Sequence, residues 1–293
     1  MAEIVCFGEV LWDVFPNIKK IGGAPLNVAY RLKSFQHNII LISAIGNDQL
    51  GKEIIDFLEN SSIDGDSIQI LDDYKTGKVS VKLDNEGVAT YTIDYPKAWD
   101  KIEITTENLK ATVKADAFIF CSLATRDQIS KITLYQLLEV ANYKVFDVNL
   151  RAPFYDYEII IELMQKADFI KLNEEELIEI ANAMQSSFKK LEENLRFIAH
   201  ETNTRHVCVT KGASGAVLLY DDQMYYHKGY KVKVADTVGA GDSFLAGLIH
   251  KILNNEKPQH ALVFASAVGA LVASKKGANP KLDASSIQQL LRS

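Results

Sequence analysis

The chain has 293 residues, 47 % hydrophobic and 24 % charged, with a formal net charge of −6. That length suits one large α/β domain with an appendage, or two smaller domains, and the composition is that of a soluble globular protein. The acidic balance lacks the basic patch of a nucleic-acid binder, and the longest nearly apolar run, residues 261–273, is too short to span a bilayer, so neither nucleic acid nor membrane is an expected partner.

In chain order, residues 4–7 read as a buried first strand running into Gly8, unlike a signal peptide. Gly22-Gly23-Ala24-Pro25 leads into a helix with Val28, Ala29, Leu32 and Phe35 on one side, and Pro25 suits its first turn. Residues 38–45 form a second strand, and Asp48 caps a helix that buries Ile54, Ile55 and Leu58. From about residue 64 the pattern changes. Val79, Val81 and Leu83 alternate with polar residues, Asp84-Asn85-Glu86-Gly87 makes a turn, and Ala89, Tyr91 and Ile93 alternate again. This is a hairpin with one polar face. It points to a small β appendage, with elements around 10–22 and 64–98, inserted in a single 1–293 domain.

After Pro96 and Trp99 the α/β rhythm returns, with strands at 115–121, 144–148, 167–172, 206–210 and 216–220. Helices fall between them at 126–141 (Ile129, Ile132, Tyr135 and Leu138 inward), 154–165 and 188–201. Asn173 opens a helix whose first turn is Glu174-Glu175-Glu176, a favourable place for acids. Residues 225–230 and 231–234 read as extended, and helices follow at about 240–254, 258–274 and 284–291. Most strands are apolar on both faces, which predicts a mostly parallel sheet covered on both sides. Cys6, Cys121 and Cys208 each lie in an apolar run without metal-ligand or redox spacing, as buried thiols in a reducing, cytoplasmic compartment would.

The chemistry centres on Asp236-Thr237-Val238-Gly239-Ala240-Gly241-Asp242, where a loop turns into a helix. A helix start offers unpaired N–H groups and positive dipole charge to an anion, and glycines let the anion approach. A carboxylate is a poor phosphate ligand, so Asp242 suits a base that takes a proton from an attacking hydroxyl; the plainer alternative is an N-cap on a glycine-rich turn. The chain has neither a Walker loop nor GxGxxG after its first strand, so phosphate handling falls to this loop. Asp13 lies just beyond the first strand and Asn27 follows the glycine pair; a carboxylate and an amide together grip sugar hydroxyls. Arg151, in Asp147-Val148-Asn149-Leu150-Arg151, stands at a strand tip, placed for phosphate oxygens or for an ion pair with Asp147 or Asp156.

The Asp-Thr-x-Gly-Ala-Gly-Asp run resembles the C-terminal signature of the ribokinase-like carbohydrate kinase family, and Gly22-Gly23-Ala24-Pro25-Leu26-Asn27 looks like its N-terminal glycine motif. The motifs come in family order over nearly the whole chain. The resemblance implies a three-layer α/β sandwich with a small β lid, and an ATP-dependent kinase of a free sugar. It implies Asp242 as catalytic base and the amides of Gly239, Ala240, Gly241 and Asp242 as the anion hole, with Arg151 near the phosphoryl path. Asp13, Gly22, Gly23, Asn27 and Asn149 would contact the sugar. Thr210, Lys211, Gly212 and Gly215 would hold the nucleotide with Asn173, and Asn173 and Glu176 would order water around Mg²⁺. A K⁺ ion near the loop and a homodimer through the lid are further family features. Within the family, the segments at Asp13, Asn27 and Asn149 look most like fructokinases; ribose, 2-keto-3-deoxygluconate, or a non-catalytic sugar- or nucleotide-binding regulatory role stay open. Tyr91, Ile93 and Lys97 of the lid are the expected arbiters of sugar choice.

Overall fold

A computed structural model of the chain describes residues 1–15, 18–83 and 89–292, without the side chains of 81–83 and 89–91. The expected turn at 84–87 and the Tyr91 side chain lie outside the described residues. In chain order the elements are β1 (Glu3–Phe7), β2 (Leu11–Val14), β3 (Lys19–Gly22), α1 (Ala24–Ser34), β4 (Asn38–Gly46), α2 (Gln49–Asn60), β5 (Ile68–Leu71), β6 (Gly77–Leu83) and β7 (Ala89–Ile93). Next come α3 (Thr106–Lys114), β8 (Ala117–Cys121), α4 (Gln128–Leu138), β9 (Lys144–Asp147), α5 (Tyr157–Lys166), β10 (Phe169–Asn173), α6 (Glu174–Ala183) and α7 (Leu191–Glu201). The chain ends with β11 (His206–Thr210), β12 (Ala216–Tyr220), β13 (Gln223–His227), α8 (Ala240–Leu253), α9 (Pro258–Ala273) and α10 (Ala284–Leu291).

Among the described residues, nine strands make the main sheet in the order β13-β12-β11-β10-β9-β8-β1-β4-β5. It is parallel from β11 to β5, while β12 and β13 return as an antiparallel edge. Alternate side chains of each strand feed two apolar cores. Val5 and Phe7 of β1 join α4, α5, α6 and α7 on one face, and Ile4 and Cys6 join α1, α2, α8 and α9 on the other. That is the three-layer sandwich. All three cysteines are buried and free. No helix among the described residues is long and apolar enough to cross a membrane.

The appendage is a second sheet in the order β3-β2-β6-β7. It is narrower than the 64–98 expectation, because β5 pairs parallel with β4 in the main sheet. This sheet is fastened to the core: Trp12 Nε1 donates to Leu50 O at 3.0 Å, and Lys19 pairs with Glu53.

Two local expectations are corrected. In α4, Ile129 and Ile132 face solvent, and the inward residues are Ser130, Thr133, Leu134, Leu137 and Leu138. The small polar residues complete a helical stripe that hydrophobicity alone hides. Ser130 Oγ donates to Trp99 O at 2.8 Å and accepts from Ile102 N at 2.9 Å, which satisfies it in place. Residues 231–234 form no strand, and Val234 is exposed. Among the described residues no strand pairs with that alternating run.

Candidate active site

Parallel strands deliver their C-terminal residues to one edge of a sheet, and ligands of such sheets bind there. Here β8, β9, β10 and β11 lie side by side, with Cys121 beside Asp147, Asp147 beside Lys171, and Asn173 beside Thr210. From the opposite layer α1 and α8 aim their N-termini at the same edge, bringing Asn27 onto Asp242: Asn27 Nδ2 donates to Asp242 Oδ2 at 2.7 Å. Asn279 Nδ2 donates in turn to Asn27 Oδ1 at 2.8 Å, fixing which way the Asn27 amide points.

The glycine pair is required by contact. A Cβ on Gly22 would lie 2.8 Å from Asp13 Oδ2, and one on Gly23, at φ 105°, would lie 2.4 Å from Glu9 O. Gly22 therefore makes room for the Asp13 carboxyl, and Gly23 lets the chain turn tightly into α1. Buried Glu9 accepts from Ala24 N at 3.1 Å and anchors that helix start. Burial pushes the Asp13 carboxyl up to about 6, against the pull of Lys20 and Arg151. Lys20, beside Asp13 in the β2–β3 register, reaches across to Asp236 Oδ2 at 2.9 Å.

At the anion loop Gly239 sits at φ 75° and caps α8. Ala240 N–H is already bound to Thr237 O at 3.2 Å, whereas the N–H groups of Gly239, Gly241 and Asp242 have no partner among the described residues. Of the four amides expected to form an anion hole, three are thus unpaired, because a turn at Thr237 takes up the N–H of Ala240. Burial raises the proton affinity of Asp242, and Asp147 adds to this, while Asn27, Lys171 and Arg151 oppose it.

Lys171 was not among the residues singled out from the sequence. Its ammonium is buried 2.9 Å from Asp147 Oδ1, and a Cβ on Gly241 would lie 3.3 Å from it. Burial pulls its proton affinity down, but Asp147, Glu176 and Asp242 together outweigh that and hold it above the ordinary lysine range. Glu9 and Asn279 lie in segments that point to the site, but local sequence gives neither side chain a role of its own. A lysine inside an otherwise apolar strand was the one signal in plain view; Glu9 and Asn279 look like loop residues until the fold closes.

Other expected residues lie at the same edge with less engagement. Asn149 is buried in a left-handed conformation at φ 43°. Arg151 is exposed and donates to Leu150 O at 2.8 Å; the carboxylate of Asp147 goes to Lys171 instead. Thr210 is partly buried beside Asn173, Lys211 is half-buried and Gly212 exposed. Gly215 is buried where a Cβ would strike His227 O at 1.9 Å, which marks it as a packing glycine of the β11–β12 turn. Lys97 pairs with Asp94 at 3.3 Å, and Ile93 is half-buried.

Asn173 and Glu176 form a reciprocal capping box. Asn173 Oδ1 accepts from Glu176 N, Glu176 Oε2 from Asn173 N, and Glu176 Oε1 from Leu150 N. No group of three or more His, Cys, Asp or Glu among the described residues could hold a metal. With most of their lone pairs engaged in the cap, Asn173 and Glu176 would suit a Mg²⁺ held through its own waters rather than a metal caged by protein.

The edge of the parallel sheet thus joins the Asn27 amide to the buried Asp242 carboxyl and to the unpaired amides at the start of α8. Residues 1–285 match the pfkB family carbohydrate kinase model, and the chain belongs to that family. Among its relatives, the fructokinase of Salmonella typhimurium is 27 % identical over 297 residues, covering 94 % of this chain and 95 % of that protein. A crystal structure of a fructokinase double mutant from Vibrio cholerae, in fructose, ADP and potassium ion bound form, is 25 % identical with a TM-score of 0.86, covering 99 % of this chain and 98 % of that one. The 2-dehydro-3-deoxygluconokinase of Thermotoga maritima also reaches 0.86, at 20 % identity over 100 % of both chains, so the fold does not choose the sugar.

Proposed function

We propose that the protein phosphorylates D-fructose with ATP to give fructose 6-phosphate. The observation that carries this reading is the Asn27–Asp242 hydrogen bond, which sets a carboxylate beside the unpaired amides of Gly239, Gly241 and Asp242. Asp13, Asn27 and Asn149 would hold the sugar hydroxyls, with Gly22 and Gly23 shaping the wall. The reacting hydroxyl would give its proton to Asp242 as it attacks the γ-phosphorus, and ADP would leave with the bonding pair. The three amides, with Arg151 swung in from the surface, would balance charge on the transferring group. Asn173, Thr210, Lys211 and Gly212 would line the nucleotide side.

Asn173 and Glu176 would hold Mg²⁺ through its waters, and the ion would neutralise phosphate charge. A K⁺ ion beside the loop would need main-chain oxygens, because Asp236 already accepts from Lys20, Val238 N and Gly277 N. Fructose is favoured over ribose or 2-keto-3-deoxygluconate by the fructokinases among the relatives. The buried free thiols suit the cytoplasm. A homodimer would pair lid sheets; a monomer in sedimentation at working concentration would reject it.

The test is ADP release over fructose, ribose and 2-keto-3-deoxygluconate, with Asp242→Asn alongside. Fructose should give the highest kcat/KM, and Asp242→Asn should lower kcat about 10²–10⁴-fold while ATP still binds. Sugar binding without turnover in the parent protein would instead identify a sensor.

A further inference from the structure

Lys171 is an expensive residue where it stands. Its strand neighbours Phe169, Ile170 and Leu172 are fully buried, and Lys171 itself is 6 % exposed. A buried ion pair seldom repays the desolvation of both partners, so stability does not account for Lys171 and Asp147. Asp147 is 2 % exposed, and while its Oδ1 meets Lys171, its Oδ2 has no hydrogen-bond partner. The pair lies directly beneath the anion loop, with the ammonium against Gly241, next in the chain to Asp242.

We propose that Lys171 and Asp147 are opposed positioning residues: each alone would bias Asp242 toward or away from taking a proton, and their pairing beneath the loop holds the two influences in balance. This rests on the reading of Asp242 as the base and goes beyond it, by naming what tunes that group. The charged and titratable groups facing Asp242 include Asp147 and Arg151 from the end of β9 and beyond, Lys171 from β10 and Cys121 from β8; Glu176 of α6 faces Lys171 and Asp147 and is unchanged in every variant, and α1 contributes the neutral Asn27. Arg151 is exposed, so solvent screens it, whereas Asp147 and Lys171 act through the interior. Their effects on Asp242 have opposite sign. Asp147 is a like charge that makes deprotonation harder, and Lys171 an opposite charge that makes it easier. Binding Lys171 to Asp147 keeps the ammonium beneath the loop and cancels most of the like charge.

The test is the acidic limb of kcat/KM for the sugar, at saturating Mg-ATP, in five proteins: the parent, Asp147→Asn, Lys171→Arg, Lys171→Met, and Lys171→Met with Asp147→Asn. Lys171→Met should move the limb to higher pH by on the order of one unit, and Asp147→Asn should move it to lower pH. Lys171→Arg and the double variant should stay near the parent, the first because the charge is kept and the second because two opposed terms go together. Lys171→Met leaves Asp147 buried and unpaired and is the variant most prone to unfold. If it does, Asp147→Asn against Lys171→Arg and the double variant still decides, with circular dichroism checking the fold. A limb that stays put or rises in Asp147→Asn overturns the proposal, because a purely structural pair would lower activity without moving it downward. An inactive Asp242→Asn with unmoved limbs removes this inference alone; near-normal turnover in Asp242→Asn removes the base reading as well.

Discussion

Asn27 and Asp242 stand 215 positions apart in the chain and 2.7 Å apart in space. The amide in the first turn of α1 thereby holds the carboxylate in the first turn of α8. The bond orients Asp242 and stabilises its charged form. Asn27→Ala removes that donor and leaves Asn279 Nδ2 without its acceptor. We expect kcat to fall and the acidic limb of its pH profile to move upward, with sugar KM rising. A pH–rate series on the variant checks this, and a limb that moves downward would contradict the stated role of the bond.

Asp13 illustrates a conflict between stability and binding. Its carboxyl is raised from an ordinary 3.8 to about 6, mainly by burial. A carboxyl with a raised folded-state value favours the fold most below pH 3.8 and loses that contribution as pH climbs through about 6. Asp13→Asn should therefore raise the melting temperature at pH 7.5 by more than at pH 5, while sugar binding collapses. Melting curves at the two pH values and a binding titration measure both effects.

Lys20 ties the small sheet to the loop before α8 through Asp236. The two side chains are 31 % and 18 % exposed, so the pair is partly screened and its worth is modest. Lys20→Met should raise the sugar KM roughly two- to fivefold, with a smaller change in kcat. A double-mutant cycle with Asp236→Asn separates the pair from the separate loss of each charge.

Gly239→Ala tests the loop itself. The residue sits at φ 75°, and a Cβ there would lie 2.6 Å from both Cα and Cβ of Ala278. The strain should cost about 1–3 kcal/mol and tilt the unpaired amides away from the phosphoryl group. Lower thermal stability together with a large loss of kcat is the expected result, and an unchanged melting curve would show that the loop yields cheaply.

Most of the order of strands and helices, the parallel sheet, the buried thiols and the loop at Asp242 were legible in the chain, because each is written in local patterns: apolar runs, caps and glycines close together in sequence; the short β2, β3 and β5 and the polar α3 carry too little apolar periodicity to be read that way. Asp48 capping α2 and the Asn173–Glu176 box needed no more than neighbours. What tertiary structure alone decided is everything that depends on distant residues meeting. It turned α4 so that Ser130 faces inward, assigned β5 to the main sheet, took Ala240 N–H out of the anion hole, and gave Asp147 to Lys171 rather than Arg151. Charge and hydrogen-bond partners are chosen across space after the layers have packed, so a lysine on a buried strand shows its meaning only when the carboxylates it faces are in place.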